Sequence, residues 1–300
     1  MTPITEVEGR RVALSNLDKV VFPDDGCTKG ELLHYHAAVA GPLLAHLAGR
    51  PVSFLRFPDG PGGQLFFTKN PPPGTPDWVT VARVPRAGGD PAARYARQVV
   101  VDGPAALLWA ANLVTEFHVP QWRADAPELA DRLVLDLDPG APADVVSCCA
   151  VALWLRDRLA ADGITAFAKT SGAKGLHLSA PLPPTPSATV AAYAKELARE
   201  AEAALAELVT HRMTKALRPG RVFVDHSQNA AAKTTAAPYT VRARPRPTVS
   251  TPVTWEEVAG CREAGGLEFT VREVPGRLER LGDLFAPLDD PEVAHPLPSR

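Results

Sequence analysis

Two aspartates one residue apart, Asp136 and Asp138, close the run Arg132-Leu133-Val134-Leu135-Asp136-Leu137-Asp138. The run alternates as a strand does, which predicts that Leu133, Leu135 and Leu137 face a core and that the two carboxylates share the opposite face. Carboxylates held a few ångströms apart resist joint ionisation unless a cation lies between them. Hard divalent ions take oxygen ligands of this kind, and a pair of ions is a common device for in-line attack at phosphorus. The plainer reading is an exposed strand end before a turn at Pro139-Gly140, and the Asp-x-Asp pattern alone does not choose between them.

Asp225 ends a second apolar run, Arg221-Val222-Phe223-Val224-Asp225, and is the only acid between positions 211 and 246, among Arg212, Lys215, Arg218, Arg221, Lys233, Arg242, Arg244 and Arg246. A lone carboxylate in such a field needs either arginine partners or a metal ion, and both readings stay open. The turn Ser171-Gly172-Ala173-Lys174-Gly175 carries the parts that hold phosphate: glycines, a hydroxyl and an ammonium. It lacks the spacing of a Walker loop. His177 follows between Leu176 and Leu178, on the face of Ser179.

The elements that must position these residues suggest an α+β fold with mixed sheets flanked by helices. Thr28-x-x-Glu31 is a capping box before a helix that Gly41-Pro42 should kink or split. Strands are predicted over 51–57, 64–68, 79–84 and 98–102, then a helix over 105–116. The second half should bring strands at 132–138, 164–170, 176–180, 221–225 and 239–244. Helices are expected over 145–161, from Ser187 to about Val209, and after Thr254. The stretch 85–97 is expected to be a basic, hinge-rich loop.

Forty-five per cent hydrophobic content in 300 residues allows a substantial core, and a formal charge of -2 confines any phosphate binding to local patches. Cys27, Cys148, Cys149 and Cys261 form no zinc or disulfide pattern, so buried thiols and no zinc are expected. No signal-like or membrane-length apolar run is present, which points to a cytoplasmic protein with no membrane partner.

Taken together, LDLDPG at 135–140, SGAKGLH at 171–177 and VDHSQN…KTTAAPYTVRARP at 224–245 resemble, in order, the three motifs of the polymerase domain of bacterial ATP-dependent DNA ligase D, in the archaeo-eukaryotic primase superfamily. LSNLDKVVFP at 14–23, TKGELLHYHAAVA at 28–40, FFTKN at 66–70 and FHVPQW at 117–122 extend the likeness over nearly the whole chain. The resemblance implies one primase-polymerase domain over 1–300, with an N-terminal lobe to about 125 and a catalytic lobe over about 126–300. It implies that Asp136, Asp138 and Asp225 are catalytic and bind two Mn²⁺ or Mg²⁺ ions. Ser171, Lys174, His177, His118, Arg218, Gln228, Lys233, Arg242 and Arg244 would then contact the incoming nucleotide. Lys19 and Lys29 would grip the 5′-phosphate of a gap or break, Phe66 and Phe67 would stack on DNA, the loop 85–97 is a candidate for bridging two DNA ends, and the cytoplasmic protein would be nucleoid-associated. Strand alternation puts one phenylalanine on each face, so a purely structural reading makes one of them core. Arg242 and Arg244 are expected on one side of the 239–244 strand.

The implied activity is nucleotidyl transfer from NTPs or dNTPs to DNA 3′-ends at breaks or 5′-phosphorylated gaps, in non-homologous end joining with Ku and an ATP-dependent ligase. A gap-filling polymerase of excision repair and a non-catalytic end-bridging module are the rival readings. His226 departs from the aromatic more familiar at its position. Three hundred residues leave no room for ligase and nuclease domains, so the resemblance implies a stand-alone polymerase, a split component or an excised domain.

Overall fold

The computed structural model describes residues 4–85 and 95–298. Two short hairpins come first, β1 (Ile4–Val7) with β2 (Arg10–Ala13) and β3 (Val20–Phe22) with β4 (Cys27–Thr28). Helices α1 (Lys29–Ala38) and α2 (Ala40–Leu47) follow, then strands β5 (Pro51–Arg56), β6 (Phe66–Thr68), β7 (Val81–Pro85) and β8 (Tyr95–Val100). Helix α3 (Pro104–Ala111) leads to β9 (Thr115–Val119) and the long β10 (Leu129–Pro139). Next come α4 (Val145–Ala161), β11 (Phe167–Thr170), β12 (Leu176–Pro186), α5 (Ser187–Ala204), β13 (Val209–Thr210) and β14 (Val222–Asp225). Strands β15 (Thr235–Ala236) and β16 (Pro252–Val253) and helices α6 (Trp255–Gly260) and α7 (Val274–Leu281) complete the order.

The chain divides into two compact units, the first comprising 1–119, 235–250 and 269–282, the second the remainder. Segments 235–250 and 269–282, which the two-lobe expectation puts with the catalytic lobe, pack in the first unit. Backbone pairing explains this: β15 bonds to β9, and the Ala237 N–H donates to the Phe117 carbonyl. In the first unit, β15-β9-β5-β8-β7 form a sheet with β6 on β5, covering a core that includes Leu43, Phe54, Leu107 and Phe117. In the second, the sheet order is β13-β14-β10-β12-β11-β16, with α4 and α5 against β10 and β12. Leu133, Leu135 and Leu137 are buried as their alternation predicts, and so are all four cysteines.

Three element expectations need correction. The predicted helix over 105–116 stops at Ala111, and Thr115–Val119 is a strand pairing with β5. Val114 turns the chain with φ of 54°, after which β-branched residues fit a pleated surface better than a helix. The helix from Ser187 ends at Ala204, because Val209 and Thr210 pair in parallel with β14. No strand forms over 239–244: Pro245 and Pro247 cannot donate to a ladder, and the Arg244 N–H turns back onto the Arg242 carbonyl. Of the predicted bridging loop at 85–97, residues 86–94 lie outside the described residues. No helix among the described residues is long and apolar enough to cross a membrane.

Candidate active site

Antiparallel pairing places Asp136 of β10 directly opposite Asp225 of β14 and, on its other side, opposite His177 of β12. Register partners share a face, so both carboxylates and the imidazole stand in one row. Asp138 lies two residues along β10 on the same face, exposed at the strand end, while Asp136 is half-buried. His177 Nε2 is 3.3 Å from Asp136 Oδ1, and Lys169 Nζ is 3.0 Å from His177 Nδ1.

The Asp225 carboxylate caps the turn that follows it. Its Oδ1 accepts from the Ser227 N–H and hydroxyl at 2.9 and 2.6 Å, and its Oδ2 accepts from Gln228 Nε2 at 2.9 Å. These donors orient the group without neutralising its charge. Asn229 holds the same turn against β10: its side chain accepts from the Val134 N–H at 2.8 Å and donates to the Val134 carbonyl at 2.6 Å, as a neighbouring strand would. Sequence reading missed Asn229, and the only signal was an amide side chain four residues after an aspartate.

The Ser171–Gly175 turn is built on its own serine, whose buried Oγ accepts from the Ala173 and Gly175 N–H groups. Gly172 adopts φ of 65°. A Cβ on Gly175 would lie 1.8 Å from the Leu137 carbonyl oxygen, so only glycine lets the turn press against β10 beside the carboxylates. Lys174 is exposed on this turn. Arg218 lays its guanidinium 3.8 Å from the centroid of Phe223, the register partner of Asp138, which brings it to the Asp138 end of the face. Lys233 is exposed.

Among the described residues, no three His, Cys, Asp or Glu side chains are arranged as a ready-made metal cage. The donor set nevertheless fits hard cations that keep part of their hydration. Mg²⁺ typically uses one or two carboxylates and completes its shell with water and substrate phosphate. Asp136 and Asp225, register partners on one face, supply such an open set.

The first unit carries a second group of chemistry-bearing residues. Glu116 and His118 alternate with buried Phe117 on β9, and Glu116 Oε2 lies 2.8 Å from His118 Nε2 and 2.9 Å from Arg242 Nε. Its Oε1 accepts from the Ala243 N–H at 2.6 Å. Burial raises the Glu116 carboxyl, but the bonds from His118 and Ala243 and the Arg242 charge outweigh it and hold the group below its ordinary value. Glu116 was invisible to sequence reading because the expected helix made it an ordinary C-terminal residue. Arg242 is thus gripped through Glu116 and not displayed by strand alternation with Arg244, which is half-buried in the turn.

Phe66 and Phe67 are both exposed, at 42% and 55%, so neither is core, and Phe67 stands edge-on to the His118 ring. Lys19 and Lys29 flank the β3–β4 hairpin, just before β3 and at the start of α1, and the Lys29 N–H donates to the Lys19 carbonyl. Lys19 pairs with Asp59 at 2.7 Å, and buried Lys29 donates to Ser15 Oγ at 3.1 Å. Burial first, and the neighbouring Lys19 charge second, lower the Lys29 ammonium from its ordinary value.

A family model described as "LigD, primase-polymerase domain" matches residues 28–285. The multifunctional non-homologous end joining protein LigD of Mycobacterium bovis is 41% identical over 290 residues, covering 93% of this chain and 37% of that protein. The bifunctional non-homologous end joining protein LigD of Bacillus subtilis is 30% identical over 284 residues, covering 92% of this chain and 44% of that protein. The chain therefore spans less than half the length of these relatives. Among solved structures, the polymerase domain from Mycobacterium tuberculosis ligase D in complex with DNA is similar with a TM-score of 0.85 and 40% identity, covering 94% of this chain and 99% of that one.

Proposed function

The chain belongs to the LigD primase-polymerase domain family and shares its archaeo-eukaryotic primase fold, and on that premise we propose that it adds nucleotides to DNA 3′-ends at breaks or short gaps. The observation that carries this reading is the row in which Asp136 and Asp225 face each other beside His177, with Asp138 one step along. Asp136, Asp138 and Asp225 would hold two divalent ions, Mn²⁺ or Mg²⁺. Bound there, such ions lower the pKa of a 3′-hydroxyl and neutralise triphosphate oxygens.

The protein's own groups position and stabilise. Ser227 and Gln228 orient the Asp225 carboxylate. Lys174, Arg218 and Lys233 supply positive charge for the triphosphate and for departing pyrophosphate, which is electrostatic stabilisation of the transition state. His118, Arg242 and Arg244 keep the nucleotide contacts that family membership suggests, with Glu116 fixing the first two. Lys19 and Lys29 receive a 5′-phosphate, and Phe66 and Phe67 stack on bases. Non-homologous end joining is the pathway supported by the names of the relatives, with Ku and an ATP-dependent ligase as partners.

The test is incubation of the protein with a gapped duplex, Mn²⁺ and labelled NTPs, with and without a 5′-phosphate at the gap. Templated incorporation with pyrophosphate release, stimulated by the 5′-phosphate, is the expected result. Tight binding of the ends with no incorporation would replace the polymerase by an end-bridging module.

A further inference from the structure

The catalytic row continues one strand further. Lys169 of β11 is the register partner of His177, so Asp225, Asp136, His177 and Lys169 lie side by side across four strands. Lys169 is 3% exposed and His177 4%, and Lys169 Nζ stands 3.0 Å from His177 Nδ1. An ammonium has three donors and no acceptor, so Nδ1 must present its lone pair to it. In a neutral imidazole the proton then sits on Nε2, the atom 3.3 Å from Asp136 Oδ1.

We propose that Lys169 is a positioning residue that fixes His177 as the Nε2–H tautomer. His177 thereby becomes a hydrogen-bond donor at the Asp136 edge, and its Nε2 is barred from ligating a metal. Rotation of the ring would lose the contact with the ammonium, so the same bond sets orientation and tautomer together. That this donor serves nucleotide binding rests on the proposed function; the tautomer itself does not.

The ring nitrogens are read directly by ¹⁵N NMR of the intact protein labelled at histidine, without metal or nucleotide, with the His177 signals assigned by their loss in His177→Gln. A pyridine-like Nδ1 and a pyrrole-like Nε2 are expected. An Nδ1–H tautomer or a doubly protonated ring in the unaltered protein overturns the proposal, whether or not any variant folds. Lys169→Met should mix the tautomers and raise the KM for NTP roughly five- to tenfold with a smaller change in kcat. Lys169→Gln, whose amide still donates, should restore both. An unchanged tautomer in Lys169→Met also overturns it. Absence of polymerase activity in a protein with the expected tautomer sinks the proposed function and leaves the tautomer assignment standing.

Discussion

Glu116 and Lys29 show how single buried charges divide between architecture and binding. The Glu116 carboxylate accepts from His118, Arg242 and the Ala243 N–H, and its ionised form is favoured in the folded protein. Because the folded value lies below the unfolded value of about 4.3, this stabilisation is present in full above that range and is lost as pH falls through the folded value. Glu116→Gln should therefore cost roughly 1–3 kcal/mol at neutral pH. In urea unfolding the deficit should shrink as the pH is taken to about 3; a deficit that does not change with pH would assign it to packing. Lys29 has the opposite sign. Its lowered value means that the charged form is disfavoured in the folded state, a penalty present in full near neutrality that fades as pH rises from the folded value to the unfolded value of about 10.4. Lys29→Met should raise the thermal midpoint in phosphate-free buffer. The same variant should weaken binding to a 5′-phosphorylated gap and make its salt dependence shallower by about one phosphate contact. Equal weakening on a gap lacking the phosphate would make Lys29 part of a general basic face.

At the scale of elements, the parts of the site that were legible in the sequence are those with strict local periodicity. Leucines alternating with aspartates gave β10 its faces, and the Asp144 cap gave α4 its start. What was not legible depends on distant pairing. Thr115–Val119 becomes a strand because β5 lies beside it; the failure of 239–244 to become one is different, since Pro245 and Pro247 stand in plain view just after it. The same dependence hid Glu116 and Asn229, whose partners are 126 and 95 residues away. The phosphate-type turn belongs between these cases: its composition was plain, but its dependence on Gly175 appears only when β10 is beside it. Gly175→Ala should force the turn away from the Leu137 carbonyl, costing on the order of 1–3 kcal/mol, the range for overpacking. Nucleotide addition should fall more than stability alone explains. Wild-type activity in a stably folded Gly175→Ala protein would show that the turn tolerates displacement from the carboxylates.

For the whole molecule, a net charge of -2 means that DNA is attracted by local groups and not by an overall polycation. The candidate groups are distributed over two units, each with its own sheet: the lysine pair and exposed phenylalanines in the first, the carboxylate row that would hold cations in the second. Both units draw on separated stretches of chain, which no linear reading of composition would divide at 235 or 251. The central claim is that Asp136 and Asp225, opposite one another on neighbouring strands, make this chain a metal-dependent nucleotidyltransferase. Its most direct measurement is single-turnover incorporation of an NTP on a gapped, 5′-phosphorylated duplex at saturating Mn²⁺, comparing the unaltered protein with Asp136→Asn and Asp225→Asn. DNA affinity and thermal midpoint would be measured alongside. The account predicts that each variant binds DNA and folds like the parent but loses incorporation by on the order of 10²-fold or more. Incorporation by either variant at the parent rate would contradict it.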